Sequence, residues 1–339
     1  MNHIYQNGTC AGRLLVQRNN QVGDMLPPSA NPNNDQCSFP DQNRICFRSG
    51  DTRVNQHPGI TSTHVLWTRQ HNRIADGLKA RNPGWSDDKV FQETRRIIGA
   101  QIQMITYGEF LPATLGPDFM RIFNLRVRAS GFTSYDSTTD PTLMNEFSTA
   151  AFRFGHSTIN TGFSLGRNQD APLRDFFSWP FDLLNGQMDR LFAGTARQPA
   201  QSFDRSMVND VTDFCYRRRG NETGLDLASL NVQRGRDHGI PGYTEMLFHC
   251  FSHEVRGFSD LRFIEPRQVR LLQQVYQSVE DIDLFTGGVS ETPLDGASVG
   301  PTFGCVIGLQ FNHLKYGDRY YFEHRGQPGS FSQGEYSSL

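Results

Sequence analysis

Apolar residues recur at helical spacing along most of this chain, and that period constrains its fold more than any other feature. After Pro58-Gly59, the residues His64, Trp67, His71, Ile74 and Leu78 stand three and four apart, one face of an amphipathic helix. Thr61 or Ser62 can cap this helix, and Asn82-Pro83-Gly84 stops it. Ser86 with Asp87 and Asp88 opens a second helix, its acids at the positive end of the dipole. Phe91, Ile98, Ile102 and Ile105 continue the helical period until Pro112. Asp140-Pro141 predicts a third start, with Met144, Phe147, Ala151 and Phe154 as its stripe. Residues 226–231 read as another helical start, and 266–279 as an amphipathic helix. Strand-like alternation is confined to short pieces near 305–310 and 319–322. Residues 17–60 read as loop, punctuated by Asn and Pro, and the Gly-, Ser- and Gln-rich tail from 325 to 339 reads as disordered. The expectation is a mainly α fold with few short strands, in a single domain over 1–339.

Composition narrows the function. The chain has 339 residues, 37% hydrophobic and 12% aromatic, which supports a buried core. With 33 basic and 35 acidic residues the formal charge is −2, and the basic runs Arg95-Arg96 and Arg217-Arg218-Arg219 are too short for a nucleic-acid surface. No apolar stretch approaches the roughly 20 residues of a membrane span. Six cysteines and two N-x-[ST] sequons, at Asn7 and Asn221, point to an oxidised, secreted protein. Yet the residues after Met1 include no apolar signal region. Either the protein is cytosolic, or the chain begins inside a longer product. Of the basic residues 30 are Arg, the cation suited to forked hydrogen bonds.

No G-x-S-x-G, Walker loop, H-E-x-x-H or C-x-x-C occurs, so histidines are the remaining candidates. His64 and His71 stand seven apart, whereas a helical metal pair needs four, and both read as packing residues. His156 lies in Phe152-Arg153-Phe154-Gly155-His156-Ser157. A Gly beside a His leaves room for a flat ligand, and the Phe residues supply an apolar wall, as an axial haem ligand requires. A core histidine fits the same pattern. The stretch from Leu230 to Tyr243 crowds Asn231, Gln233, Arg234, Arg236, Asp237 and His238 between apolar neighbours. Inside a fold such a cluster needs a full hydrogen-bond network or an anionic partner.

This last stretch closely resembles the signature of the animal haem peroxidases. Other stretches resemble the same family in the same order. They are Gly50-Asp51-Thr52-Arg53-Val54-Asn55, His71-Asn72-Arg73-Ile74-Ala75, Ile105-Thr106-Tyr107, Glu109-Phe110-Leu111-Pro112, the His156 segment, Ile282-Asp283-Leu284-Phe285, Gly300-Pro301-Thr302-Phe303 and Gly317-Asp318-Arg319. The resemblance is strongest over 35–323. It implies that His156 is the axial ligand of the haem iron and that Asn231 accepts a hydrogen bond from its other ring nitrogen. A neutral amide there leaves the imidazole neutral, where a carboxylate would push it toward imidazolate. It implies that Arg53 is the catalytic distal arginine, stabilising charge as the peroxide O–O bond breaks, and that Arg234 partners a haem propionate. It also implies disulfides Cys37–Cys46 and Cys250–Cys305, leaving Cys10 and Cys215 to pair with each other or elsewhere.

The departures matter as much. The family's distal histidine, most ligands of its calcium site and one haem-esterifying aspartate lie N-terminal to this chain, which is therefore expected to be a partial domain. A second esterifying position, normally glutamate, is Gln56, so haem b is expected to bind without a covalent link. His57, next to it, is a candidate stand-in for the distal group. The implied function is a secreted peroxidase that uses hydrogen peroxide to oxidise halides, phenols or tyrosyl groups. The alternatives are a catalytically inactive haem-binding or adhesive extracellular module, or a fragment that does not fold. Oligomeric state is open.

Overall fold

The computed structural model describes residues 11–20, 22–35, 37–166, 170–181, 186–218 and 220–336. Among the described residues twelve α-helices follow one another: α1 (Pro58–Arg81), α2 (Asp87–Ile105), α3 (Leu111–Ile122), α4 (Asn145–Thr149), α5 (Met188–Thr195), α6 (Asn209–Thr212), α7 (Leu227–Asp237), α8 (Tyr243–Phe251), α9 (Pro266–Val275), α10 (Leu284–Ser290), α11 (Pro301–Gly317) and α12 (Gln333–Tyr336). The described strands form two antiparallel hairpins of three residues a side: β1 (Gln17–Asn19) with β2 (Gly23–Met25), and β3 (Gly162–Ser164) with β4 (Asp170–Pro172). The mainly α expectation holds. The chain divides into two compact units. One comprises residues 1–98, 160–200 and 208–226; the other comprises 99–159, 201–207 and 227–339.

In the first unit, α1 starts at Pro58, before the His64 that opens its apolar stripe and before the expected caps Thr61 and Ser62. Pro58 is its first residue, where a missing N–H costs nothing, and the His57 ring accepts from the Gly59 N–H (3.2 Å). Its buried face includes Thr61, Ser62, Val65, His71, Asn72 and Ala75. Polar residues sit there because each has a partner: Thr61 donates to the Val54 carbonyl (2.6 Å), and Asn72 exchanges bonds with the Leu14 backbone. A stripe built from apolar residues alone misses this face. Val65 packs with Met25, Leu26, Phe47, Val54 and Met188. A second cluster joins Trp179 and Phe181 to the Cys37–Cys46 disulfide.

The second unit is organised by α11, most of which is buried. Residues 305–310, read from sequence as strand, lie inside this helix, and 319–322 form turns rather than a strand. The alternation there was too short to separate from a buried helix face. Gly304 and Gly308 let α3 approach: a Cβ would stand 2.6 Å from the Phe119 ring and 2.2 Å from the Phe123 ring. Pro112 does not end α2. The helix widens into a π-turn, Thr106–Phe110, and Pro112 enters α3 at its first turn. Residues 325–336, expected to be disordered, are folded. Phe331 and Tyr336 are buried, and the Tyr336 hydroxyl donates to the Arg128 carbonyl (2.8 Å). Two aromatic anchors outweigh the polar composition around them. The Cys250–Cys305 disulfide ties α8 to α11.

Glu291 is buried among three donors: the Tyr243 hydroxyl (2.8 Å), the Thr302 hydroxyl (2.6 Å) and the Thr302 N–H (2.9 Å). Burial nevertheless pushes its carboxyl up to about 7 from 4.5. The folded state therefore holds a proton that the unfolded chain releases, so stability falls as pH rises from 4.5 to 7. Denaturant midpoints measured across this window should show the fall, and Glu291→Gln should flatten that contribution.

Candidate functional site

In the second unit, α4 breaks at Ala150, whose backbone leaves the helical region, and the chain re-enters a 3₁₀ turn, Ala151–His156. His156 stands at the end of that turn, and α7 brings Asn231 to it. Asn231 is fully buried, with its Nδ2 2.9 Å from His156 Nδ1 and its Oδ1 accepting from Arg153 Nη1 (3.1 Å). Burial first, and then the Arg153 charge, lower the His156 imidazole to about 4. The ring is neutral at neutral pH, as a metal ligand must be. Its Nε2 has no hydrogen-bond partner among the described residues.

With Oδ1 held by Arg153, the Asn231 amide presents its Nδ2 to Nδ1. A neutral ring that accepts there carries its proton on Nε2, so an axial role through Nε2 requires the amide turned over. An amide turned by 180° offers Oδ1 to an Nδ1–H over the same separation, at the cost of placing its NH₂ against a guanidinium. Arg153 is thus a member of the site that sequence reasoning passed over, although it stands inside the quoted motif.

These residues fit haem. A Cβ on Gly155 would meet only Thr158 Oγ1, at 3.9 Å, so the backbone beside His156 is open to a flat group. Phe152, 40% exposed, offers an apolar face and packs edge-on against Phe110. Arg234, one turn after Asn231, is half-exposed and among the described residues pairs only with Asp237, at 3.5 Å, which leaves its fork available to a carboxylate. No group of three His, Cys, Asp or Glu side chains gathers to hold an ion among the described residues.

The first unit holds the other predicted residues. Arg53 and Gln56 line a cavity of about 770 Å³, together with Asn55, Tyr216, Arg218 and Asn221. Arg53 is not free there: its Nε and Nη2 fork onto the Asp51 carboxylate (3.1 and 2.9 Å), which lowers the Asp51 pKa. Ser178 N–H donates to the Gln56 carbonyl (3.1 Å). His57 does not line the cavity; its Nδ1 caps α1, and burial lowers its pKa to about 4. Asn221 is exposed in a turn, while Asn7 and Cys10 lie outside the described residues. Cys215 is buried without a disulfide in the structure. No helix of the described residues is long and apolar enough to cross a membrane. Asp51, Tyr216 and Arg218 were missed as site residues. Only the family segment around Arg53 hinted at Asp51, and the other two carried no signal.

The helical frame around the buried His–Asn pair is that of a peroxidase fold. The chain belongs to the animal haem peroxidase family, whose model matches residues 5–339. It is 39% identical to thyroid peroxidase of Sus scrofa over 309 residues, which is 87% of this chain and 32% of that protein. It is 37% identical to a peroxidase of Drosophila melanogaster over 354 residues, covering 100% of this chain and 51% of that one. Peroxidase A from Dictyostelium discoideum shares the fold with a TM-score of 0.79 and 33% identity, over 94% of this chain and 60% of that one. A fatty acid alpha-dioxygenase of Arabidopsis thaliana, 18% identical with a TM-score of 0.71 over 93% of this chain and 53% of that one, shows the likeness of fold alone. The chain spans about a third to a half of the length of these curated relatives.

Proposed function

We propose that this chain is part of a haem-dependent peroxidase, an oxidoreductase that uses hydrogen peroxide to oxidise halides or phenolic and tyrosyl substrates. The observation that carries it is the neutral His156 ring, oriented from behind by buried Asn231 and with Nε2 unpartnered among the described residues. Haem b, bound without a covalent link, supplies the redox chemistry with peroxide. The protein's own part is to hold His156 in one tautomer and orientation through Asn231 and Arg153. Arg234 grips a propionate, and Arg53 offers a fixed cation to the oxygen that gains charge. Gln56 lines the Arg53 cavity as a neutral amide. A family match across both compact units supports reading 1–339 as one partial domain. Two disulfides and the exposed sequon at Asn221 support secretion.

A second reading, a haem-binding module without catalysis, is favoured by one observation: Arg53 is neutralised by Asp51 and its side chain is 70% exposed. Haem-reconstituted protein should oxidise guaiacol with peroxide, and Arg53→Gln should slow this by 10²–10³-fold, about the effect of losing one charge-stabilising donor. A Soret band without turnover selects the module reading.

A further inference from the structure

The loop from 213 to 225 is pinned at its base. Cys215 and Leu225 exchange both backbone hydrogen bonds (3.2 and 2.8 Å), and the Gly224 N–H donates to the Asp213 carbonyl (2.7 Å). A Cβ on Gly224 would stand 2.5 Å from the Cys215 carbonyl oxygen, so only glycine admits this approach. Tyr216 follows at φ +55°, a left-handed conformation that a bulky residue adopts only when its surroundings impose it. Its ring stands edge-on to Phe177 at 6.0 Å, its hydroxyl meets the Gln56 side chain, and it remains 40% exposed on the wall of the Arg53 cavity.

The charges of that wall are unevenly satisfied. Arg53 is forked onto Asp51. Arg217 points elsewhere, to the Asp175 carboxylate (2.7 Å) and the Arg174 carbonyl (3.1 Å). Asp35, the acid of the cavity, accepts from the Ser38 hydroxyl (3.1 Å). Arg218 lines the cavity with its side chain exposed, with no ion pair or side-chain hydrogen bond among the described residues. An exposed aromatic face and an uncommitted guanidinium thus share one cavity, two residues apart, beside the pinned base of the loop. Together they match an aromatic ring that carries a carboxylate.

We propose that Tyr216 and Arg218 form a binding site for phenolic carboxylates, with the ring packed on Tyr216 and the carboxylate forked by Arg218. This rests on the peroxidase reading for the phenol, and adds the anionic substituent. The test is calorimetric binding of 3-(4-hydroxyphenyl)propanoate and of neutral 4-ethylphenol to this chain. The acid should bind about three-fold tighter, as one charge-assisted fork on an exposed guanidinium allows, and added salt should narrow the gap. Arg218→Gln should abolish the preference while leaving the neutral phenol unaffected, and Arg218→Lys should restore part of it. Tyr216→Ala should weaken both ligands, and Tyr216→Phe, which keeps the ring, should bind the phenol as the parent does. Equal affinity for the two ligands, an unchanged preference in Arg218→Gln, or binding of neither would overturn the site. A binding preference without peroxide turnover upholds the site and overturns the activity. Turnover without a preference does the reverse.

Discussion

Replacing His156 with alanine is expected to abolish the Soret band of the haem-reconstituted protein. The ring is the candidate axial ligand, it is neutral, and its rear nitrogen is tied to a buried amide. Asn231→Ala should retain a band but weaken haem affinity by 10–100-fold, the usual cost of losing the partner that orients a ligating imidazole. Asn231→Asp should instead lower the iron potential, because a carboxylate draws the Nδ1 proton and strengthens the ligand. Arg153→Ala separates the two orientations of the amide. If the donor-facing arrangement dominates, freeing Oδ1 from Arg153 should strengthen haem binding. Haem titration followed by absorbance and by redox potentiometry reads all four variants. An unchanged Soret band in His156→Ala would remove His156 from the site.

The second large effect concerns stability. Lys315 and Glu323 form an ion pair (3.2 Å) with side chains 1% and 0% exposed. The Lys315 ammonium also donates to the Arg126 carbonyl (2.8 Å), and Glu323 Oε1 accepts from Arg128 N–H (2.6 Å) and the Tyr336 hydroxyl (3.2 Å). Burial lowers the Lys315 pKa, a sign of how much desolvation the pair must offset. Glu323→Ala leaves a buried ammonium without its counter-ion and should cost about 3–5 kcal/mol in denaturant unfolding. It should also loosen α12, since Tyr336 keeps only its bond to the Arg128 carbonyl. Lys315→Met with Glu323→Met removes both charges and should cost less than either single change. Additive losses in that double variant would show that packing, not charge, holds this corner.

Much of the site was legible in the sequence. The motifs around His156 and Asn231 named a pair that the fold brings to 2.9 Å across 75 positions. The two assigned disulfides are formed. Other details depend on neighbours that no local pattern contains. The fork of Asp51 on Arg53 is a matter of two side chains meeting in a turn. Arg153 holds Asn231 because a 3₁₀ turn, not a continuous helix, carries it there. His57 caps a helix because Pro58 sets where that helix begins.

Spacing and composition by themselves determined that the chain is mainly helical. Motif order determined its family, because periodic burial and fixed chemical roles leave marks on residue type. Tertiary structure alone decided the tie of Arg153 to Asn231, the buried polar face of α1, the folded end of the chain and the placing of Tyr216 and Arg218 on one cavity. Those features arise where segments distant in sequence satisfy each other's hydrogen bonds and charges, and a single residue's type does not record which partner it will meet.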